Sequence, residues 1–431
     1  MDKKQSKELK YSPVITTHFE FLGPHGVIAT ILAVPTIVFL LFPLCSKHGC
    51  PPPIDQWNSA IVFNSSLIDP VAFKVILYWF GLHLFLYSFL PGRSVLGAPT
   101  PNGLRLTYNI NGLNSFFLII GTLFVSILYS GLTPLLWIAD NQFQLSIAAS
   151  IISSLLALSL YIASFRSPTI VLAEGGNSGY HHYDFWMGRE LNPRLFNSID
   201  LKFLCELRPG LIGWLILNLS SAAKQYSELG YVTNSMVIVL VGQGYYVFDA
   251  LWNEQAILTT MDITTDGFGF MLVFGDLVWV PFTYSLQARY LAMFPLDLSF
   301  SYLLFIVFTN LLGLWIFRSS NSEKNAFRTN PNQQSVSHLK FMTTQSGSKL
   351  LITGWWGAAR KINYTGDWIM SFAWCLPCGF SSPIPYFYTI YFAILLVHRA
   401  YRDDAICLKK YGKDWITYKS RVPYMFIPGV I

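Results

Sequence analysis

Two groups of residues in this 431-residue chain could do chemistry. The first stands in or beside long apolar runs: Tyr246, Asp249, Glu254, Asp266 and Asp276. Ionisable groups at membrane depth are costly and are kept for a function. The second group follows the last apolar run: Arg399, Arg402, Asp403, Asp404, Lys409, Lys410, Tyr411 and Tyr418. Guanidinium and ammonium groups clamp phosphates through charge-assisted bonds. A carboxylate such as Asp403 or Asp404 can bond a ribose hydroxyl or a carboxamide. Lys324 and Arg328, spaced i, i+4 on a possible helix, add two cations. Such a tail also suits anionic lipid headgroups and fixes topology. Tyr246 suits an interface anchor, and Asp276 suits a cap at a helix break at Gly275. On the residues alone both readings stay open.

The elements that must position these groups are membrane helices. Mean hydropathy is +0.43, 53% of residues are apolar and only 12% are charged, so the chain reads as a polytopic membrane protein. Apolar windows predict spans near 25–44, 69–90, 111–131, 143–164, 209–223, 234–251, 268–283 and 298–317. A further apolar stretch at 367–398 predicts a hairpin of two, turning near Pro377, Pro383 and Pro385. The total is about ten transmembrane helices.

Lys3, Lys4, Lys7 and Lys10 precede the first run, and the loops carrying Arg93, Arg166, Arg194 and Arg318 fall on the same side. By the positive-inside rule both termini are expected in the cytosol. The sequon at Asn64 then falls on the lumenal side. Cys45 and Cys50 flank a lumenal loop and could pair. The Cys375–Cys378 CxxC sits in an apolar run without companion ligands, so no metal is expected; nor is one at His181 and His182.

The net charge of +6 comes without a basic stripe or nucleic-acid module, so it is better read as positive-inside topology than as nucleic-acid binding. GQG at Gly242–Gly244 and GFG at Gly267–Gly269 lack the strand–loop–helix context of a dinucleotide fingerprint, and no Walker pattern is present. The loop 252–267 carries Glu254, Asp262 and Asp266 and no basic residue. It is either a solvated acidic loop or the lining of an enclosed polar cavity.

Six segments together resemble the sterol reductase family. They are AEGGNSGYHHYDFWMGRELNPRL (Ala173–Leu195), ELRPG (Glu206–Gly210), MDITTDGFGFML (Met261–Leu272), PFTYSLQARYL (Pro281–Leu291), GWWGAARKINYTGDW (Gly354–Trp368) and the tail His398–Ile431. The ELRPG wording resembles the C-14 reductases, the fungal enzymes of ergosterol synthesis most closely; Δ7 reductases tend to carry NGRPG there. The resemblance implies NADPH-dependent reduction of the C14=C15 bond of a 4,4-dimethyl Δ8,14 sterol in the endoplasmic reticulum membrane. It implies a cofactor site at Lys324, Arg328, Leu351, Trp356, Asn363, Tyr364, Asp403, Cys407, Tyr411 and Tyr418. Lys324 and Arg328 suit a 2′-phosphate, and the aromatic faces suit stacking.

Reducing an isolated double bond needs a proton at C15 and a hydride at C14. Tyr246 is the first choice of donor, held by a neighbouring acid, Asp249 or Glu254, with Asp403 towards the nicotinamide. The expected fold is all-α. Its parts are a cytosolic tail (1–24), eight spans with a sterol cavity (25–317), a connection contributing to the cofactor site (318–366), and a hairpin with a cofactor-binding tail (367–431). The partners implied are the sterol, the bilayer and other enzymes of sterol synthesis. A Δ7 reductase, a non-catalytic sterol-binding protein and a transporter remain alternatives. The transporter expects internal repeats that the sequence does not show.

Overall fold

The computed structural model describes residues 12–56, 67–166 and 170–430. Lys3, Lys4, Lys7, Lys10 and the Asn64 sequon lie outside them. Helices dominate, because a backbone in lipid must satisfy each N–H and C=O within its own segment. Among the described residues, seven stretches are long and apolar enough to cross a bilayer: Gly23–Leu40, Pro70–Phe89, Gly112–Ser130, Gln142–Ala163, Asn234–Trp252, Phe270–Met293 and Phe300–Thr329.

The other three expected spans are helices outside that set. The 209–223 run lies within Leu201–Leu229, which also carries Lys202, Glu206, Arg208 and Lys224. The 367–398 run is a pair, Ile362–Cys375 and Phe387–Tyr411. Between them are 3-10 turns at Leu376–Cys378 and Ile384–Tyr386, where the prolines stand. Among the described residues, three two-stranded antiparallel sheets interrupt the all-helical expectation: Arg93–Pro99 with Arg105–Ile110, Arg194–Leu195 with Ile199–Asp200, and Phe341–Thr343 with Lys349–Leu351. All lie in the loops, where hydropathy carries no signal. Cys45 and Cys50 form a disulfide.

The chain forms two compact units, residues 1–232 with 243–295, and residues 233–242 with 296–431. In the first, Leu201–Leu229 and Phe270–Met293 are the core: 72% of the apolar window of the latter is buried, against 11% for Gly23–Leu40. The outer helices turn Leu32, Leu77, Phe124 and Leu155 outward, as lipid-facing helices do. Asp200 starts Leu201–Leu229 by accepting from the Phe203 amide at 2.9 Å. Phe270–Met293 is not one regular helix: a π-helical turn occupies Gly275–Trp279. Gly210 makes that turn possible, since a Cβ there would stand 2.2 Å from the Asp276 carbonyl oxygen. The GFG sequence has a packing role: a Cβ on Gly188, which holds φ +82°, would meet the Gly269 nitrogen at 2.2 Å.

In the second unit, Phe300–Thr329 packs on Ile362–Cys375 through Gly313 and Gly366. A Cβ on Gly313 would lie 2.7 Å from the Gly366 carbonyl oxygen. Trp374 donates to Asn310 at 2.9 Å, and Trp368 donates to the Thr389 carbonyl at 3.1 Å, fastening all three long helices of this unit. Their polar ends carry the Phe341–Leu351 hairpin and the helix Lys413–Arg421.

Candidate functional site

The ten residues expected to hold a cofactor all fall in the second unit, and most of them are linked by contacts. Phe300–Thr329 runs well past the predicted end at 317 and delivers Asn321, Lys324 and Arg328 along its last turns. The Lys324 ammonium lies 3.7 Å from the centre of the Trp356 ring. Trp356 is pinned by its indole N–H, which donates to the Ser320 carbonyl at 2.7 Å. Leu351 packs with Trp356, Phe327, Val336 and Leu339 behind it. Tyr418 donates to the Trp356 carbonyl at 3.4 Å and stacks on Trp415, with Cys407 and Tyr411 against the same cluster. Burial pushes the Tyr418 phenol up to about 12, so it remains a hydroxyl at neutral pH.

Cys407 lies 3.8 Å from an Asp403 carboxylate oxygen, and that carboxylate is paired with Lys361. Lys361 in turn stands 5.6 Å from the Tyr364 ring. Asn363 donates to Asn321 at 3.3 Å, while its own carbonyl oxygen is buried without a partner among the described residues.

The cations of this region divide by their partners. Lys361 is paired with Asp403, Lys419 with Asp404 at 3.0 Å, and Arg360 donates to the Val422 and Pro423 carbonyls at 2.6 and 2.7 Å. Lys324 and Arg328 make no ion pair among the described residues. Two cations one turn apart beside an indole face and an unpartnered amide oxygen fit a phosphate-bearing dinucleotide with a carboxamide. Sequence reasoning missed Lys361, although it lies in the GWWGAARKINY motif. Among the phosphate candidates of the tail, Lys410 lies 5.1 Å from the Tyr411 ring.

The catalytic candidates Tyr246, Asp249 and Glu254 fall in the first unit. Tyr246 is half-buried, its ring 6.0 Å from that of Trp214. Trp214 sits at the head of a buried polar ladder. Its indole and the Asn218 amide both donate to the Gln243 side-chain oxygen Oε1, at 3.1 and 2.6 Å. Gln243 donates onward to Gln287 at 3.2 Å. Asp249 is half-buried, and its backbone carbonyl accepts from Asn253. Trp214, Asn218 and Gln243 were not expected; amides inside apolar runs were the signal that marks them.

Glu254 has a different place. Arg208 Nε donates to one of its oxygens at 3.0 Å and the Gly112 amide donates to the other at 2.8 Å. Both side chains are buried. With both oxygens engaged, this carboxylate ties Leu201–Leu229 to the start of Gly112–Ser130. His181 bonds Tyr161 at 2.7 Å, and no metal-binding group occurs among the described residues. The RELNPR segment joins loops: Arg194 donates to the Thr107 carbonyl at 2.9 Å, and the Glu190 carbonyl accepts from Phe268 at 3.1 Å.

A family model described as the ergosterol biosynthesis ERG4/ERG24 family matches residues 16–431. The chain is 48% identical to the Delta(14)-sterol reductase erg24 of Schizosaccharomyces pombe, over 96% of this chain and 97% of that one. It is 46% identical to the Delta(14)-sterol reductase of Ascobolus immersus, over 96% and 99%. The Delta(14)-sterol reductase TM7SF2 of Mus musculus is 44% identical over 99% of both chains.

Proposed function

The chain belongs to the ergosterol biosynthesis ERG4/ERG24 family, and from that premise we propose that it reduces the C14=C15 double bond of Δ8,14 sterols with NADPH. The observation that carries the cofactor half is the pair Lys324 and Arg328, which make no ion pair among the described residues and stand beside the Trp356 face, while Lys361 and Lys419 are paired with acids. Their charges would hold the 2′-phosphate. Trp356, Tyr411 and Tyr418 supply flat faces, and the Asn363 carbonyl oxygen can accept from a carboxamide N–H. NADPH, when bound, supplies a hydride.

The protein supplies the proton. Tyr246 is the group we place opposite C15, with Asp249 one turn along the same helix as its neighbouring acid. Protonating C15 leaves positive charge at C14, a tertiary centre. The Trp214 ring beside Tyr246 offers a π face to that charge. Glu254 serves as a positioning group through Arg208. Asp403 is held by Lys361 and orients the cofactor.

The reaction belongs in the endoplasmic reticulum membrane, with both termini cytosolic, next to other enzymes of sterol synthesis. Incubating membranes that contain this chain with a Δ8,14 sterol and, separately, a Δ7 sterol tests the substrate. Loss of the C14=C15 bond alone is expected; loss of the Δ7 bond alone would make the chain a Δ7 reductase.

A further inference from the structure

Three fully buried polar side chains of the first unit carry hydrogen-bonding atoms that no described residue meets. His83 is 0% exposed, and neither ring nitrogen has a partner. Arg208 is also 0% exposed, and its Nη1 has none. Asn111 is 2% exposed, and its carbonyl oxygen has none. Buried polar atoms of native proteins are nearly always satisfied, so such a group calls for an explanation.

The three stand on neighbouring segments that bond one another. Asn111 is fixed by its amide nitrogen, which donates to the Tyr87 and Leu90 carbonyls at 3.0 and 2.9 Å. Arg208 donates to the neighbouring Asn109 carbonyl at 3.1 Å and lies 4.5 Å from the Tyr87 ring. His83 stands one turn before Tyr87 on the same helix and within electrostatic reach of Arg208. Trp79 packs edge-on to His83 at 4.4 Å and donates to the Pro209 carbonyl at 3.1 Å, locking the two helices together.

The chemistry of the loose ends is mixed. Arg208 Nη1 can only donate, the Asn111 oxygen can only accept, and an imidazole does one of each. The Arg208 charge is already met by Glu254, so the set does not call for an anion. A neutral hydroxyl, which accepts from one neighbour and donates to another, matches it. We propose that His83, Asn111 and Arg208 seat the 3-hydroxyl group of the sterol.

Spacing agrees with this. Arg208 and Trp214 lie on one helix, six residues and so about 9 Å of rise apart. Trp214 touches the ring of Tyr246. A sterol anchored at ring A by its hydroxyl would bring the junction of rings C and D towards Tyr246. The inference rests on the sterol reading of the site and names the group that orients the substrate.

The test uses the purified full chain in detergent, a Δ8,14 3β-hydroxysterol and its 3-deoxy counterpart, with binding and turnover measured in parallel. The wild-type chain is expected to bind the hydroxysterol about tenfold or more tightly than the deoxysterol. His83→Phe is expected to abolish most of that preference by weakening the hydroxysterol alone. His83→Gln, which keeps a donor and an acceptor, is expected to retain it. Equal preference in His83→Phe and wild type overturns the proposal. So does loss of affinity for both sterols alike, which would mark His83 as a packing residue, or a wild-type chain with no preference. A preserved binding preference without turnover of either sterol supports the hydroxyl seat and contradicts the reductase reading.

Discussion

The two polar regions of this molecule treat charge in opposite ways. In the unit built on Phe300–Thr329, Lys324 and Arg328 make no ion pair among the described residues and stand beside an aromatic face. In the unit built on Leu201–Leu229, the buried Arg208 is neutralised by Glu254, and the polar ladder around Gln243 is made of amides and an indole. Uncompensated cations suit a multiply charged phosphate ligand. Neutral hydrogen-bonding groups and aromatic rings suit an apolar molecule with one hydroxyl. Each region has the electrostatic character of one of the two proposed substrates.

Substitutions can break this contrast, and the largest effect is expected at the buried ion pair. Arg208→Met leaves Glu254 as an uncompensated buried charge, and a loss of about 3–5 kcal/mol is expected, read as a lowered unfolding temperature in detergent. Arg208→Met with Glu254→Leu should recover much of it. An unchanged midpoint in the single variant would show that the pair does not hold these helices.

Tyr246→Phe comes next. Removing the donor is expected to lower kcat by about 100-fold or more with sterol affinity unchanged. Full activity would remove Tyr246 from the mechanism. In the other region, Lys324→Ala with Arg328→Ala is expected to raise KM for NADPH by about 10- to 100-fold, from the loss of charge-assisted bonds. KM for NADH should barely move, because it lacks the 2′-phosphate; equal effects on the two cofactors would contradict that assignment. The smallest effect is expected at Lys419→Met. Its pair with Asp404 is partly exposed, so a change of about 0–1 kcal/mol in unfolding is expected. A large loss there would mean that the paired cations matter as much as the unpaired ones.

Much of this was legible in the sequence, for identifiable reasons. Long apolar runs mark spans because lipid imposes length and composition on them. Pro377, Pro383 and Pro385 located the hairpin turn because proline ends helices. The GWWGAARKINY and tail motifs contain Trp356, Asn363, Tyr364, Asp403, Cys407, Tyr411 and Tyr418, while Lys324, Arg328 and Leu351 came from the family resemblance alone. Contacts between distant segments left no local trace. Glu254 reads as an acid available for catalysis until Arg208, 46 positions away, is seen bonded to it. The glycines of GFG at Gly267–Gly269 admit Gly188, a contact with a segment some 80 positions away. The π turn at Gly275–Trp279 follows from Gly210 packing against it, which hydropathy does not encode. The short hairpin Arg93–Ile110 lies between spans, where the apolar pattern is silent.

The most direct test follows the hydride itself. The purified chain is incubated with a Δ8,14 sterol and NADPH deuterated at its transferable position, and the product is examined by mass spectrometry and NMR. The account predicts loss of the C14=C15 bond, deuterium at C14 and a solvent-derived proton at C15. Deuterium at C15, or a C14=C15 bond that survives while NADPH is bound, would contradict it.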